Sequence, residues 1–172
     1  MKKNLNSYFI LFPISASILI FDQWTKSIIR SNLDFGEIWM PWEWLTPYAR
    51  VVHWYNTGVA FGMFQDRNLI FAVLSLVVSL VLIIFYPKLT QNDWFLRIAV
   101  GMQVGGSLGN LLDRLTIGHV TDFISVGNFP VFNIADASIS MGVGVMLLGL
   151  WLEERREKRK SARHAEESSG QE

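Results

Sequence analysis

Two aspartates, Asp122 and Asp136, stand in the stretch GHVTDFISVGNFPVFNIADASISMG with no lysine or arginine within a helical turn of either. Asp136 lies five residues into an apolar run that continues to Leu152. An unpaired carboxylate in apolar surroundings is costly to keep ionised. Two brought together share a proton, because like charges in contact cannot both ionise. Such a pair can hydrolyse a peptide bond. The ionised member takes a proton from water, and the protonated member polarises the carbonyl and then donates to the leaving amine. The residues alone leave a second reading open, in which the two carboxylates are independent and separately satisfied.

Other polar residues recur inside apolar segments. Gly106, Asn110 and Asp113 are spaced i, i+4, i+7 and share one helical stripe. Asn133 and Asp136 are spaced i, i+3. Asp22 and Lys26, spaced i, i+4, read equally as a helical ion pair, and Asp113 with Arg114 as an ion pair at a helix end. Gly101, Gly105 and Gly109 form a small-residue stripe that suits close helix approach. The chain has no cysteine, which excludes thiol nucleophiles, disulfides and cysteine-ligated metals. His53, His119 and His164 lack ligand spacing, so neither metal nor cofactor is expected. Lys26 with Ser138 or Ser140 is the weaker, nucleophilic alternative.

These residues need elements that hold them in apolar surroundings. Of 172 residues, 51% are hydrophobic and 17% charged, and the mean hydropathy is +0.28. That balance suits a membrane protein. Four segments approach the roughly 20 apolar residues that cross a bilayer: about 8–29, 69–86, 95–115 and 131–152. The expected fold is therefore an all-α membrane protein with four transmembrane helices, forming one domain over 1–153. The segment 32–68 holds four of the seven tryptophans (Trp39, Trp42, Trp44, Trp54) together with Tyr48 and Tyr55. It predicts a small β-containing platform on the outer membrane surface. Residues 154–172 read as a basic, then disordered, cytoplasmic tail.

Lysine and arginine placement sets the direction. With four spans, ten basic residues fall on the side of the termini and five on the other. Both termini are expected in the cytoplasm. Asp22, Gln23, Lys26, Asn110, Asp113, Arg114, Asn133 and Asp136 then reach one level near the outer leaflet, with Asp122 in the adjoining connection. Intramembrane ionisable residues at one depth point to a functional site. A neutral net charge gives no field for nucleic acid. A monomer surrounded by membrane lipids is expected.

Five motifs in order, DQWTK (Asp22–Lys26), NTGVAF (Asn56–Phe61), GGSLGNLLDR (Gly105–Arg114), GHVTDF (Gly118–Phe123) and FNIADASI (Phe132–Ile139), run over nearly the whole chain. In this it resembles the lipoprotein signal peptidases (signal peptidase II). The resemblance implies a membrane-embedded aspartic endopeptidase of the bacterial inner membrane. Its substrates would be prolipoproteins carrying a diacylglyceryl group, cleaved just before the lipidated cysteine. It implies Asp122 and Asp136 as the catalytic pair. It also implies Asp22, Lys26, Asn56, Asn110, Asp113, Arg114 and Asn133 as polar residues around the pocket. With Gly106, these make the expected substrate-binding set. A small proton-coupled transporter is the alternative, though it would place carboxylates at mid-bilayer and show inverted repeats. A non-enzymatic assembly factor would have no need of an unpaired carboxylate pair.

Overall fold

The computed structural model describes residues 8–58, 67–90 and 93–169, with side chains of the last helix described as far as Ser161. Lys2, Lys3 and residues 59–61 of the NTGVAF motif lie outside the described residues. Among those described, four long helices carry the chain: α1 (Tyr8–Asn32), α2 (Asn68–Leu89), α3 (Trp94–Thr116) and α4 (Ile134–Ser169). Between α1 and α2 come β1 (Ile38–Trp39), a 3-10 turn (Glu43–Leu45) and β2 (Ala49–Asn56), and β3 (Val120–Val126) follows α3.

Three helices, α1, α2 and α4, are long and apolar enough to cross a membrane. The expected fourth span, α3, is 23 residues long but carries Arg97, Gln103, Asn110, Asp113 and Arg114. It is the central helix and packs against α1, α2 and α4. Asn110 and Asp113 are buried in those contacts, so its polar residues face protein. Its glycines permit the approach. A Cβ on Gly105 would lie 2.8 Å from the Ser15 carbonyl of α1, and one on Gly106 would lie 2.5 Å from the Ala135 carbonyl of α4. Leu11, Tyr86, Val100 and Val104 form a buried cluster joining α1, α2 and α3. Leu69, Ile84 and Leu147 point outward and are exposed, as apolar side chains facing lipid would be.

The platform is a three-stranded antiparallel sheet of order β1-β2-β3. The connection expected to hold Asp122 contains β3, which pairs with β2 from Ala49↔Val126 to Asn56↔Val120, with a register shift between Val51 and Trp54. The platform hangs from the end of α1, where His53 Nδ1 lies 2.8 Å from the Leu33 carbonyl oxygen. After β3 the chain reverses through Gly127, at φ 51°. Phe132 N–H then bonds the Ile124 carbonyl at 3.0 Å. That pairing delays the last helix, which begins at Ile134 and not at 131. The helix also continues to Ser169, where the sequence reading had a disordered stretch after Ala165. Glu, Lys, Arg and Ala favour helix, and no Gly or Pro interrupts residues 150–169.

Candidate active site

Asp122 projects from β3. Asn56 on β2 stands diagonal to it and on the same face. Asn56 Nδ2 donates to Asp122 Oδ2 at 2.9 Å, and Asn133 Nδ2 donates to Asp122 Oδ1 at 2.7 Å. Asp136 sits in the first turn of α4. Asn110 Nδ2 donates to its Oδ1 at 2.7 Å, and the Asn133 backbone N–H reaches its Oδ2 at 3.3 Å. Asn133 Oδ1 in turn accepts from the Asp136 backbone N–H at 2.9 Å. This reciprocal pair is a capping box with aspartate in the place of the usual glutamate. One residue, Asn133, therefore holds both carboxyls. The capping motif that starts α4 is what aims Asp136 at the site.

Asp122 is 1% exposed, while Asp136 lines a cavity of about 500 Å³. The polar wall of the cavity is Asn56, Asn110 and Arg114, and its apolar wall includes Phe129, Phe132, Ile139 and Met141. Burial first, and the neighbouring Asp136 second, push the Asp122 carboxyl from 3.8 up to about 7. The Asn56 and Asn133 bonds pull the other way without cancelling it. The pair can thus hold one proton near neutral pH.

Behind the pair lies a buried charge network. Lys26 Nζ reaches Asp22 Oδ2 at 2.8 Å, Asp113 Oδ2 at 3.1 Å and Asn110 Oδ1 at 3.0 Å. These acceptors occupy all of its donors. Asp22 Oδ1 accepts from the Ala135 backbone N–H at 2.9 Å, so a carboxylate of α1 caps the start of α4. Asp113 also takes Arg30 Nη1 at 3.4 Å and the Thr121 backbone N–H at 3.0 Å. Asp22, Lys26 and Asp113 are 0%, 0% and 1% exposed. They are not among the residues that line the cavity; each joins helices instead. Gly106 likewise serves the α3–α4 contact. Asp113 and Arg114 do not pair with each other, since adjacent helical residues point apart. Arg114 Nη2 instead donates to the Gly58 carbonyl at 3.2 Å, and its guanidinium lies 5.8 Å from the centre of the Phe71 ring.

Sequence reasoning brought Asp122, Asp136, Asn56, Asn110, Arg114 and Asn133 to one site, and the structure places them together. It missed Arg30 and Thr121, whose side chains bond at 3.1 Å. The i, i+4, i+8 spacing of Asp22, Lys26 and Arg30 was the available signal for the first. The β-branched and aromatic content of VTDFISV was the signal for the strand that carries the second.

Comparison with known proteins covers the segment that carries these residues. The family profile described as signal peptidase (SPase) II matches residues 14–152. A lipoprotein signal peptidase of Shouchella clausii is 34% identical over 152 residues, covering 86% of this chain and 97% of that protein. One of Staphylococcus haemolyticus is 32% identical over 141 residues, covering 80% and 87%. A solved bacterial membrane enzyme, determined by the in meso method at 2.3 Å, superposes with a TM-score of 0.76 at 29% identity, covering 83% of this chain and 88% of that one.

Proposed function

We propose a two-aspartate hydrolysis for this chain, which belongs to the signal peptidase II family. It is a multi-pass bacterial membrane protein and an aspartic endopeptidase that removes signal peptides from lipoprotein precursors. The observation that carries the mechanism is the bridge through Asn133, which bonds Asp122 and Asp136 at once beside the cavity.

The reaction needs a water between the two carboxyls. The ionised aspartate takes its proton as oxygen attacks the scissile carbonyl. The protonated aspartate stabilises the developing oxyanion and then gives its proton to the departing amine. The proton taken from water resets the pair for the next turnover. Asn56 and Asn110 keep the carboxyls aimed without adding charge. Arg114, at the cavity wall, has donors beyond its bond to Gly58 that could hold substrate carbonyls.

We read α3 as the fourth span, with its polar face turned to α1 and α4. Both termini then lie in the cytoplasm and the platform outside, with Trp39, Trp42, Trp44 and Tyr48 exposed toward the membrane interface. The dyad meets the bilayer near its outer face, where the cleavage site of an entering precursor emerges. The diacylglyceryl chains stay in the bilayer and fix the depth of the cysteine, and the enzyme works as a monomer. Purified protein in detergent is expected to shorten a diacylglyceryl-modified prolipoprotein, leaving the lipidated cysteine as the new N-terminus, and to cleave the unlipidated precursor far more slowly. Equal rates on both forms would remove the lipid from recognition.

A further inference from the structure

The three asparagines around the dyad share a feature that has consequences for the proton. Each has its carboxamide oxygen held by a group that can only donate. Asn56 Oδ1 accepts from the Gly58 backbone N–H at 3.0 Å. Asn133 Oδ1 accepts from the Asp136 backbone N–H at 2.9 Å. Asn110 Oδ1 accepts from Lys26 Nζ at 3.0 Å and from Asn133 Nδ2 at 3.1 Å. Pinning the oxygen decides where the nitrogen points. The first two locks are backbone and do not depend on a side chain elsewhere. The third is shared by the Asn133 amide and a lysine from α1 that is 0% exposed, and the dyad chemistry does not otherwise use that lysine.

Resting on the two-aspartate reading above, we infer that Lys26 is a positioning residue: by holding the Asn110 oxygen it turns the Asn110 amide N–H onto Asp136 and so favours Asp136 as the base of the pair. If the Asn110 amide flipped, its oxygen would face Asp136 and could be satisfied there only by a protonated carboxyl. Lys26 removes that option, because an ammonium cannot accept. Asp136, at the cavity wall, then meets the attacking water. Asp122, more deeply placed, is the acid. Its high proton affinity agrees with that role.

The charged groups around the dyad are Asp22, Lys26 and Arg30 from α1, and Asp113 and Arg114 from α3. The platform adds His53 and His119, and α2 carries only Lys88, at its opposite end. Lys26→Met alone would strand Asp22 and Asp113, so the test removes the charge in balance, with Asp22→Asn/Lys26→Met. The asparagine keeps an oxygen for the Ala135 N–H.

The measurement is the pH dependence of prolipoprotein cleavage by purified enzyme. The low-pH limb reports the arrival of a second proton on the pair. Without the lock it is expected to move up by about one pH unit, a tenfold change in proton affinity, the scale of one bond to a charged group. Asn110→Ala should move it equally, and adding Asn110→Ala to the double variant should move it no further. A role confined to structure would lower the rate and leave the limb in place. An unmoved limb in Asn110→Ala, or shifts that add in the triple variant, would overturn the proposal. Should the double variant not accumulate in membranes, Lys26→Arg replaces it. That variant keeps a donor-only cation and must hold the limb while Asn110→Ala moves it; a limb that moves in Lys26→Arg also overturns the proposal. Loss of the dyad reading would show separately, as turnover surviving in Asp122→Asn or Asp136→Asn.

Discussion

Two groups of carboxylates, buried except for Asp136 at the cavity wall, lie side by side in this molecule and are treated in opposite ways. Asp22 and Asp113 are held by cations, Lys26 at 2.8 and 3.1 Å and Arg30 at 3.4 Å. Asp122 and Asp136 are held by neutral amide donors, with no Lys or Arg nitrogen within 4.0 Å among the described residues. The difference is chemical. A carboxylate paired with a buried cation ties helices together. One held by amides is oriented just as firmly, but its proton affinity is left to burial and to its neighbour, which puts Asp122 at about 7. On the proposed mechanism, the first group builds the site and the second runs it.

The largest effect should come from breaking the charged group. Lys26→Met leaves two buried carboxylates without their main partner and should cost about 3–5 kcal/mol, or prevent accumulation in the membrane altogether. Thermal unfolding in detergent reads this. Asn56→Ala removes one amide from the other group and should cost far less. Equal losses in the two variants would erase the distinction between the groups.

A mixed effect is expected at Asn133, which belongs to the amide group but also caps α4. Asn133→Ala should lose about 1 kcal/mol of stability as a missing cap. Turnover should fall by roughly 100–1,000-fold, the range for removing one preorganised donor from a polar site. Comparing the melting temperature with kcat separates the two. A rate loss no larger than the stability loss accounts for would make Asn133 only a cap.

The smallest effect is a gain. Asp122 binds its proton more tightly in the fold than its ordinary value of 3.8 allows. The stability this contributes is present below that value and is lost as pH rises through about 7. Asp122→Asn removes the penalty. The inactive variant should melt a few degrees above wild type at pH 8 and show no such gain at pH 4. A melting temperature below wild type at pH 8 would contradict the raised proton affinity.

That Asp122 and Asp136 share one site was legible because they lacked nearby cations in an apolar stretch, and because five motifs fell in family order. It made the helices legible through their apolar runs. It did not separate the two carboxylate groups. Asp22, Lys26 and Asp113 share the depth of the dyad, and depth alone cannot tell a residue lining a cavity from one behind it. That distinction depends on side chains crossing between helices, such as Asp22 reaching the Ala135 N–H 113 positions away. β3 was hidden because its pairing partner, β2, lies far back in the chain. The start of α4 was misplaced because Phe132, apolar enough to look helical, is committed to Ile124.

The central claim is that Asp122 and Asp136 act as one unit. Its most direct test is the initial rate of lipid-modified prolipoprotein cleavage by Asp122→Asn, Asp136→Asn and the double variant, each verified as folded by its melting temperature. Asparagine keeps the shape of aspartate and cannot cycle a proton. Each single variant should lose turnover to background, and the double variant should be no worse than either, as expected for groups that work as a unit. A single variant that cleaves near the wild-type rate, or a double variant whose loss is the product of two partial ones, would contradict the account.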